Sequence, residues 1–217
     1  PRRRARHSNL ARRACVLGRV RLGRVLSAEA GPVRAERERR RVDYPGLREL
    51  TELTGEPSGL RMWEGNESSG VEQIASRHQI KHTAPLGARY NDALSSSVQV
   101  FLATQPEERV RSLLHGGAIT YPGLDEASLE DYLRRLKDDS SRGWAINYGE
   151  SSMDEVGVAA PVYDHRGDVV AAVLIPAPRF RVSMERLQIL GESCMAAADK
   201  VTARLGGKAS GAGREGR

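Results

Sequence analysis

The sequence predicts an α+β domain with a largely antiparallel central sheet, and three observations carry that prediction. Trp144-Ala145-Ile146-Asn147-Tyr148 alternates large apolar or aromatic residues with the smaller Ala145 and Asn147, as a half-buried strand does. Two nearly continuous apolar runs, 156–163 and 169–175, are joined by the polar turn Asp164-His165-Arg166-Gly167-Asp168, which describes a hairpin at the centre of a sheet. Around them lie segments whose apolar residues recur every three or four positions, the spacing of one helix face.

From Asp43 the elements follow in order. Pro45 lies near a helix start, Leu47, Leu50 and Leu53 share a face, and Gly55 stands where a left-handed residue ends the helix. Residues 59–64 and 70–80 read as strands separated by the turn 65–69. Leu94, Val98, Phe101 and Leu102 fall on one helix face. Thr104 and Glu107 have capping-box spacing ahead of a short helix that turns Val110, Leu113 and Leu114 inward. A further helix from about Ser128 carries Leu129, Tyr132, Leu133 and Leu136 on one side. The last helix begins after Ser183, with Met184, Leu187, Leu190, Cys194, Ala197, Val201 and Leu205 spaced by three or four, and Gly206-Gly207 ends it. Strands joined by hairpins, with helices gathered on the sheet faces, make an α+β layer architecture.

Charge divides the chain. Residues 1–43 hold 14 Arg against 4 acidic residues, whereas 44–217 hold 20 basic against 24 acidic, so the net +6 belongs to the first fifth. That stretch reads as a basic N-terminal arm, either disordered or a weak phosphate-binding segment, because guanidinium groups neutralise a polyanion without a fold. Cys15 and Cys194 stand far apart with no CxxC neighbour, which excludes a disulfide framework and a thiolate metal site and fits a reducing cytoplasm. No apolar run approaches the roughly 20 residues that span a bilayer, so no membrane partner is expected. No Ser-His-Asp or Cys-His signature and no phosphate-cradling glycine loop is present, so no catalytic residue and no cofactor is expected. His78 and His82 have the i, i+4 spacing of helical metal ligands but fall in a strand and loop context, which argues against a metal pair. Trp63 and Trp144 read as core or interface residues.

Leu47-Arg-Glu-Leu50-Thr-Glu-Leu-Thr-Gly55-Glu56, then Ala84-Pro85-Leu86-Gly87, Phe101-Leu102-Ala103, Gly143-Trp144-Ala145, Glu150, Ala159-Ala160-Pro161-Val162 and the turn into Val169-Val170-Ala171-Ala172 run in that order. Together they resemble the effector-binding domain of the IclR family of bacterial transcriptional regulators. The resemblance covers about 43–205 and implies a GAF-like domain. In that reading, 1–42 is the arm with a remnant of wing and linker, around the Leu17-Gly18 and Leu22-Gly23 pairs, and 206–217 is a disordered tail.

The family implies further partners: a small-molecule effector, DNA reached through a winged helix-turn-helix, and a second or fourth copy of the chain in a dimer or tetramer. No recognition helix is visible here. Either the sequence, which opens on Pro1, is a piece of a longer protein, or the regulator has lost its DNA-reading head and acts by oligomerising with relatives; a GAF-like small-molecule enzyme is a further alternative.

The resemblance also marks positions for the effector. Ser96 and Ser97 match small residues that face the pocket, although Val98 and Gln99 stand where the family has Gly-Lys. Asn147, Glu155 and Gly157 match positions at strand ends, and His82 precedes the pocket helix. The plain alternative for the serines is that they only satisfy free amides at a helix start. Where relatives place a Gly-aliphatic pair this chain has Asp154-Glu155, and an added carboxylate favours an amine or a polyol over a small organic acid.

Overall fold

In the computed structural model, residues 46–83 and 85–208 are described, all within one unit, Val42–Arg217. The basic arm, with the expectations attached to it, lies outside the described residues, as do 209–217.

Helix α1, described over 46–54, ends at Gly55, whose φ of 72° is the left-handed conformation that glycine adopts without a Cβ penalty. Strands β1 (Ser58–Trp63), β2 (Ser68–Ile74) and the short β3 (Arg89–Tyr90) follow. Helices α2 (Ser96–Leu102), α3 (Glu107–His115) and α4 (Glu126–Arg142) come next. Strands β4 (Ala145–Tyr148), β5 (Glu155–Tyr163) and β6 (Val169–Pro178), a 3-10 turn (Arg179–Arg181) and helix α5 (Met184–Arg204) complete the domain. The six strands form one sheet in the order β3-β2-β1-β6-β5-β4, and every paired neighbour is antiparallel.

Alternation along the strands divides the residues between two faces. Leu60, Val156, Val158, Ala160, Val162, Val173, Ile175 and Ala177 face α1 and α5 and pack with Leu47, Leu50, Leu187, Leu190, Cys194, Ala198 and Val201. The opposite face presents Trp63, Ala145, Ala159 and Ala172 to Val100 and Phe101 of α2, with Trp63 stacked on Phe101 at 5.2 Å between ring centroids. A separate apolar cluster joins α2, α3 and α4. Small residues on β4, β5 and β6 let α2 lie close to that second face, which sets the geometry of the site.

Several local expectations need correction. Leu53 is 73% exposed and Met184 68%, so each lies outside the buried stripe of its helix. The second strand stops at Ile74, and a β-bulge interrupts its pairing with β1 between Leu60 and Arg61. Thr104 does not cap α3: its hydroxyl donates to the Phe101 carbonyl at 2.9 Å, and Pro106 occupies the cap position with no side-chain bond. The capping box falls instead on α4, where Asp125 accepts from Ser128 N at 2.8 Å and the Ser128 hydroxyl accepts from Asp125 N. Gly206 and Gly207 donate to the carbonyls of Ala203 and Thr202, closing the turn after α5.

Candidate functional site

The second face of the sheet, beneath the N-terminal end of α2, gathers most of the expected positions. Gly157 on β5 lies directly under Ser96: a Cβ built there would stand 2.8 Å from the Ser96 hydroxyl and 3.8 Å from Cβ of Asn147 on the paired strand β4. Ser96 and Asn147 are buried, at 2% and 4% exposure. Asn147 Oδ1 accepts from the amides of Glu150 at 2.9 Å and Ser151 at 3.4 Å, so its side chain also orders the β4–β5 loop. Glu155, at the start of β5, approaches Nε2 of His82 at 3.5 Å. Three of the positions thus form one contact group, and two more form a neighbouring pair.

Ser97 turns elsewhere. Its hydroxyl accepts from Ser68 on β2 at 3.1 Å and lies 3.3 Å from Ser95. Ser95, the residue before α2, makes no side-chain cap bond, so the serine run is not a capping device. Gln99 is fully buried; its amide nitrogen donates to the carbonyls of Leu94 at 2.7 Å and Ile146 at 3.0 Å, which ties α2 to β4.

Sequence reasoning missed Arg61. On β1, Leu60 and Met62 face the α1/α5 core, so alternation places Arg61 on the α2 face, where it is only 6% exposed. Its guanidinium lies 4.2 Å from the centre of the Tyr90 ring and donates to the Ala88 carbonyl at 3.2 Å. Among the described residues no carboxylate forms an ion pair with it, whereas Arg89 on the neighbouring strand pairs with Glu64 and Glu67. Burial lowers the Arg61 pKa, and the charge of Tyr90, a hydrogen bond to the Tyr90 side chain and the charge of Glu155 oppose that shift. The sequence signal was a lone arginine in an apolar strand, Leu60-Arg61-Met62-Trp63.

The recess at Arg61 is bounded by Gly59, Gly70, Pro85, Leu86, Leu174 and Pro176, and its volume is about 10 Å³. That is close to the space of one water molecule, so the loop carrying Pro85 and Leu86 is closed over Arg61. A larger open hollow of about 490 Å³ lies near the C-terminal end of α1, lined by Arg48, Thr51, Glu52, Gly55, Ile74, Ala75, Arg77 and His78. None of the expected effector positions touches it. No cluster of three or more potential metal ligands occurs among the described residues.

Residues 36–203 match the model of the bacterial transcriptional regulator IclR C-terminal domain. The chain belongs to the IclR family. It is 29% identical over 170 residues to the acetate operon repressor of Salmonella typhimurium and 27% identical over 166 residues to the HTH-type transcriptional repressor AllR of Escherichia coli. Each match covers 76% of this chain and 61% of the relative, so the chain spans about three-fifths of the length of these repressors. The crystal structure of a domain, 129–302, of an IclR-family transcriptional regulator superposes with a TM-score of 0.77 at 68% identity, covering 79% of this chain and 99% of that one. The IclR protein of Thermotoga maritima shares the fold at 21% identity, with a TM-score of 0.69 over 83% of this chain and 74% of that one. These IclR relatives are regulators and not enzymes, and the expected GAF-like α+β class agrees with their architecture. No helix among the described residues is long and apolar enough to cross a membrane.

Proposed function

We propose that this chain is the metabolite-sensing part of a cytoplasmic transcriptional regulator and that its effector seats on the α2 face of the sheet, against Ser96, Asn147, Glu155 and Gly157 and within reach of His82. The observation that supports this reading most is the convergence of Ser96 and Asn147 on Gly157: a helix terminus meets two strands there with little side-chain bulk between them. Ser97, bonded to Ser68, acts from behind by holding the first turn of α2 against β2.

The output follows from linkage. An effector that fits one arrangement of the domain better than another shifts the population between them, and in an oligomer that shift changes the spacing of attached DNA-reading domains. A coupling of about 1–3 kcal/mol alters occupancy of an operator roughly 5–150-fold. The DNA contact itself belongs to a helix-turn-helix of the kind that the name of the HTH-type relative AllR denotes.

Thermal-shift screening of small metabolites on the 217-residue chain tests the reading. A ligand that binds only the folded state stabilises it by about 2.7 kcal/mol at a hundredfold excess over Kd. The expected result is a concentration-dependent rise in Tm that Gly157→Val abolishes; a library that yields no shift, or a shift indifferent to that substitution, contradicts it.

A further inference from the structure

Helix α4 grips the last strand of the sheet through side chains that surround one buried acid. Arg135, Asp139 and Arg142 are spaced by four and then three residues, so they share a face of the helix. Arg135 donates to the Ile146 carbonyl and, through both terminal nitrogens, to the Glu150 carboxylate at 2.6 and 2.7 Å. Arg142 donates to the Trp144 carbonyl at 3.1 Å and lies over the indole of the same residue. Two guanidiniums thus hold the backbone at and just before β4. Ile146 directly precedes Asn147, whose Oδ1 accepts from the Glu150 amide at 2.9 Å, so this grip and the candidate effector seat share the stretch 146–150.

Asp139 sits between the two arginines and is only partly satisfied. Its Oδ1 pairs with Arg142, whereas Oδ2 is buried without a hydrogen-bond partner among the described residues. The residue also lines a cavity of about 20 Å³, together with Val100, Thr104, Trp144, Pro161 and Tyr163, which is room for one water molecule. Ionised, the carboxyl group leaves a buried oxygen with no donor; protonated, it gives up attraction to Arg142. Burial is the larger effect and pushes its pKa up to about 7, against the charges of Arg142 and Arg135 and with those of Asp138 and Glu150 adding to the rise. The other titratable groups facing it are Tyr132 on α4, whose hydroxyl donates to the Ala93 carbonyl at 2.6 Å, and Tyr163 on β5. From α2 and β4 only uncharged residues reach the cavity.

We propose that Asp139 is a pH-sensitive pin in the joint between α4 and β4. Protonated, it leaves Arg135 and Arg142 to the carbonyls of Ile146 and Trp144. Ionised, it draws both guanidiniums toward Oδ2 and admits one water to the cavity, and the hold on β4 loosens. Asn147 adjoins one of the two carbonyls, so the effector seat is better ordered on the acid side of neutrality than on the alkaline side. That last step rests on the sensing role proposed above; the joint itself does not.

The experiment is a pH titration of tryptophan fluorescence on the full chain, which needs no ligand. Trp63→Phe leaves Trp144 as the sole tryptophan, and its emission is expected to change sigmoidally between about pH 5.5 and 8.5 with a midpoint near 7. Asp139→Asn in the same background should hold Trp144 at its low-pH emission throughout. Amide exchange by NMR at Glu150, whose N–H is bonded to Asn147, reads whether the change reaches the seat. Its protection factor is expected to be at least threefold higher at about pH 6 than at about pH 8 in the parent, and equal at the two in Asp139→Asn. Circular dichroism checks folding, and the Glu150 readout on the parent and Asp139→Asn decides alone should Trp63→Phe not fold. A flat emission in the parent, a transition that survives Asp139→Asn, or Glu150 protection indifferent to pH would overturn the inference. Failure of the sensing role reads differently: no metabolite then shifts Tm, while both pH readouts stand.

Discussion

Gly191 on α5 lies flat against the indole of Trp144, and a Cβ at that position would overlap the ring. Trp144 is 3% exposed and stands just before β4, so this contact sets how closely α5 approaches the sheet. Arg142 covers the ring from another side at 4.3 Å and donates to the Trp144 carbonyl at 3.1 Å. Gly191→Ala must displace either the helix or the indole. The expected loss is about 1–3 kcal/mol, the usual cost of overpacking a dense interior, read as a lower urea midpoint with an unchanged m-value.

Glu56 is fully buried just after α1 and is held by Arg181, whose Nε and Nη2 donate to its two oxygens at 2.8 and 2.7 Å. Arg181 Nη1 also donates to the Ile80 carbonyl at 2.8 Å, so one guanidinium ties α1, the loop after β2 and the turn before α5 together. Arg181→Leu leaves the carboxylate buried, with Arg186 at 3.8 Å as the remaining cation. A destabilisation of about 3–5 kcal/mol is expected, from the general cost of orphaning one partner of a buried pair. Glu56→Gln with Arg181→Met should recover much of it in a double-mutant cycle.

Asp139 on α4 gives the domain a pH dependence of definite sign. The side chain is 4% exposed, Oδ1 pairs with Arg142, and Oδ2 has no partner. Burial raises its pKa to about 7 despite the Arg142 and Arg135 charges, which act in the opposite direction. A pKa raised above the ordinary carboxylate value of about 3.9 means that the folded protein binds the proton more tightly than the unfolded chain. The contribution is full below about pH 4 and is lost as pH rises through 7. Asp139→Asn should therefore stabilise the domain relative to the parent above pH 7, with the difference shrinking as pH falls toward 4. Thermal unfolding between those limits measures it, and a constant difference would show that the carboxyl group does not titrate in this range.

Cys194 is fully buried against β5 and β6, with its sulfur 3.3 Å from the Val173 carbonyl, and burial pushes the thiol pKa well up. Reaction requires thiolate and access, so Cys194 should remain unlabelled by maleimide in the native state and react only as the domain unfolds in denaturant. Peptide mass spectrometry reads this residue separately from Cys15.

The sheet was legible because its apolar runs are long and the turns between them carry strong signals: Gly167, at φ 86°, is the left-handed residue of the Asp164–Asp168 turn. The faces of α3 and α4 were legible for the same reason. Periodicity failed at the ends of elements, where one residue decides: Leu53, in the last turn of α1, and Met184, the first residue of α5, fit the stripes of helices that do not reach the core at those ends. Thr104 matched a capping pattern, but Pro106 enters the cap position and the hydroxyl turns back to α2. The resemblance marked Ser96, Asn147 and Gly157 by position, and the contact among them depends on the pairing of β4 with β5. Ser97 separates from them because one step along a helix rotates a side chain by about 100°. Arg61 escaped notice because its meaning depends on which charges surround it across the sheet, a long-range property that no local pattern carries.

The most direct test of the account is hydrogen–deuterium exchange on the full chain with and without a ligand that raises its Tm. The account expects altered protection in 85–90, at the first turn of α2 and in 155–157. Changes confined to the hollow at Arg48, Arg77 and His78, with the α2 face indifferent to ligand, would contradict it.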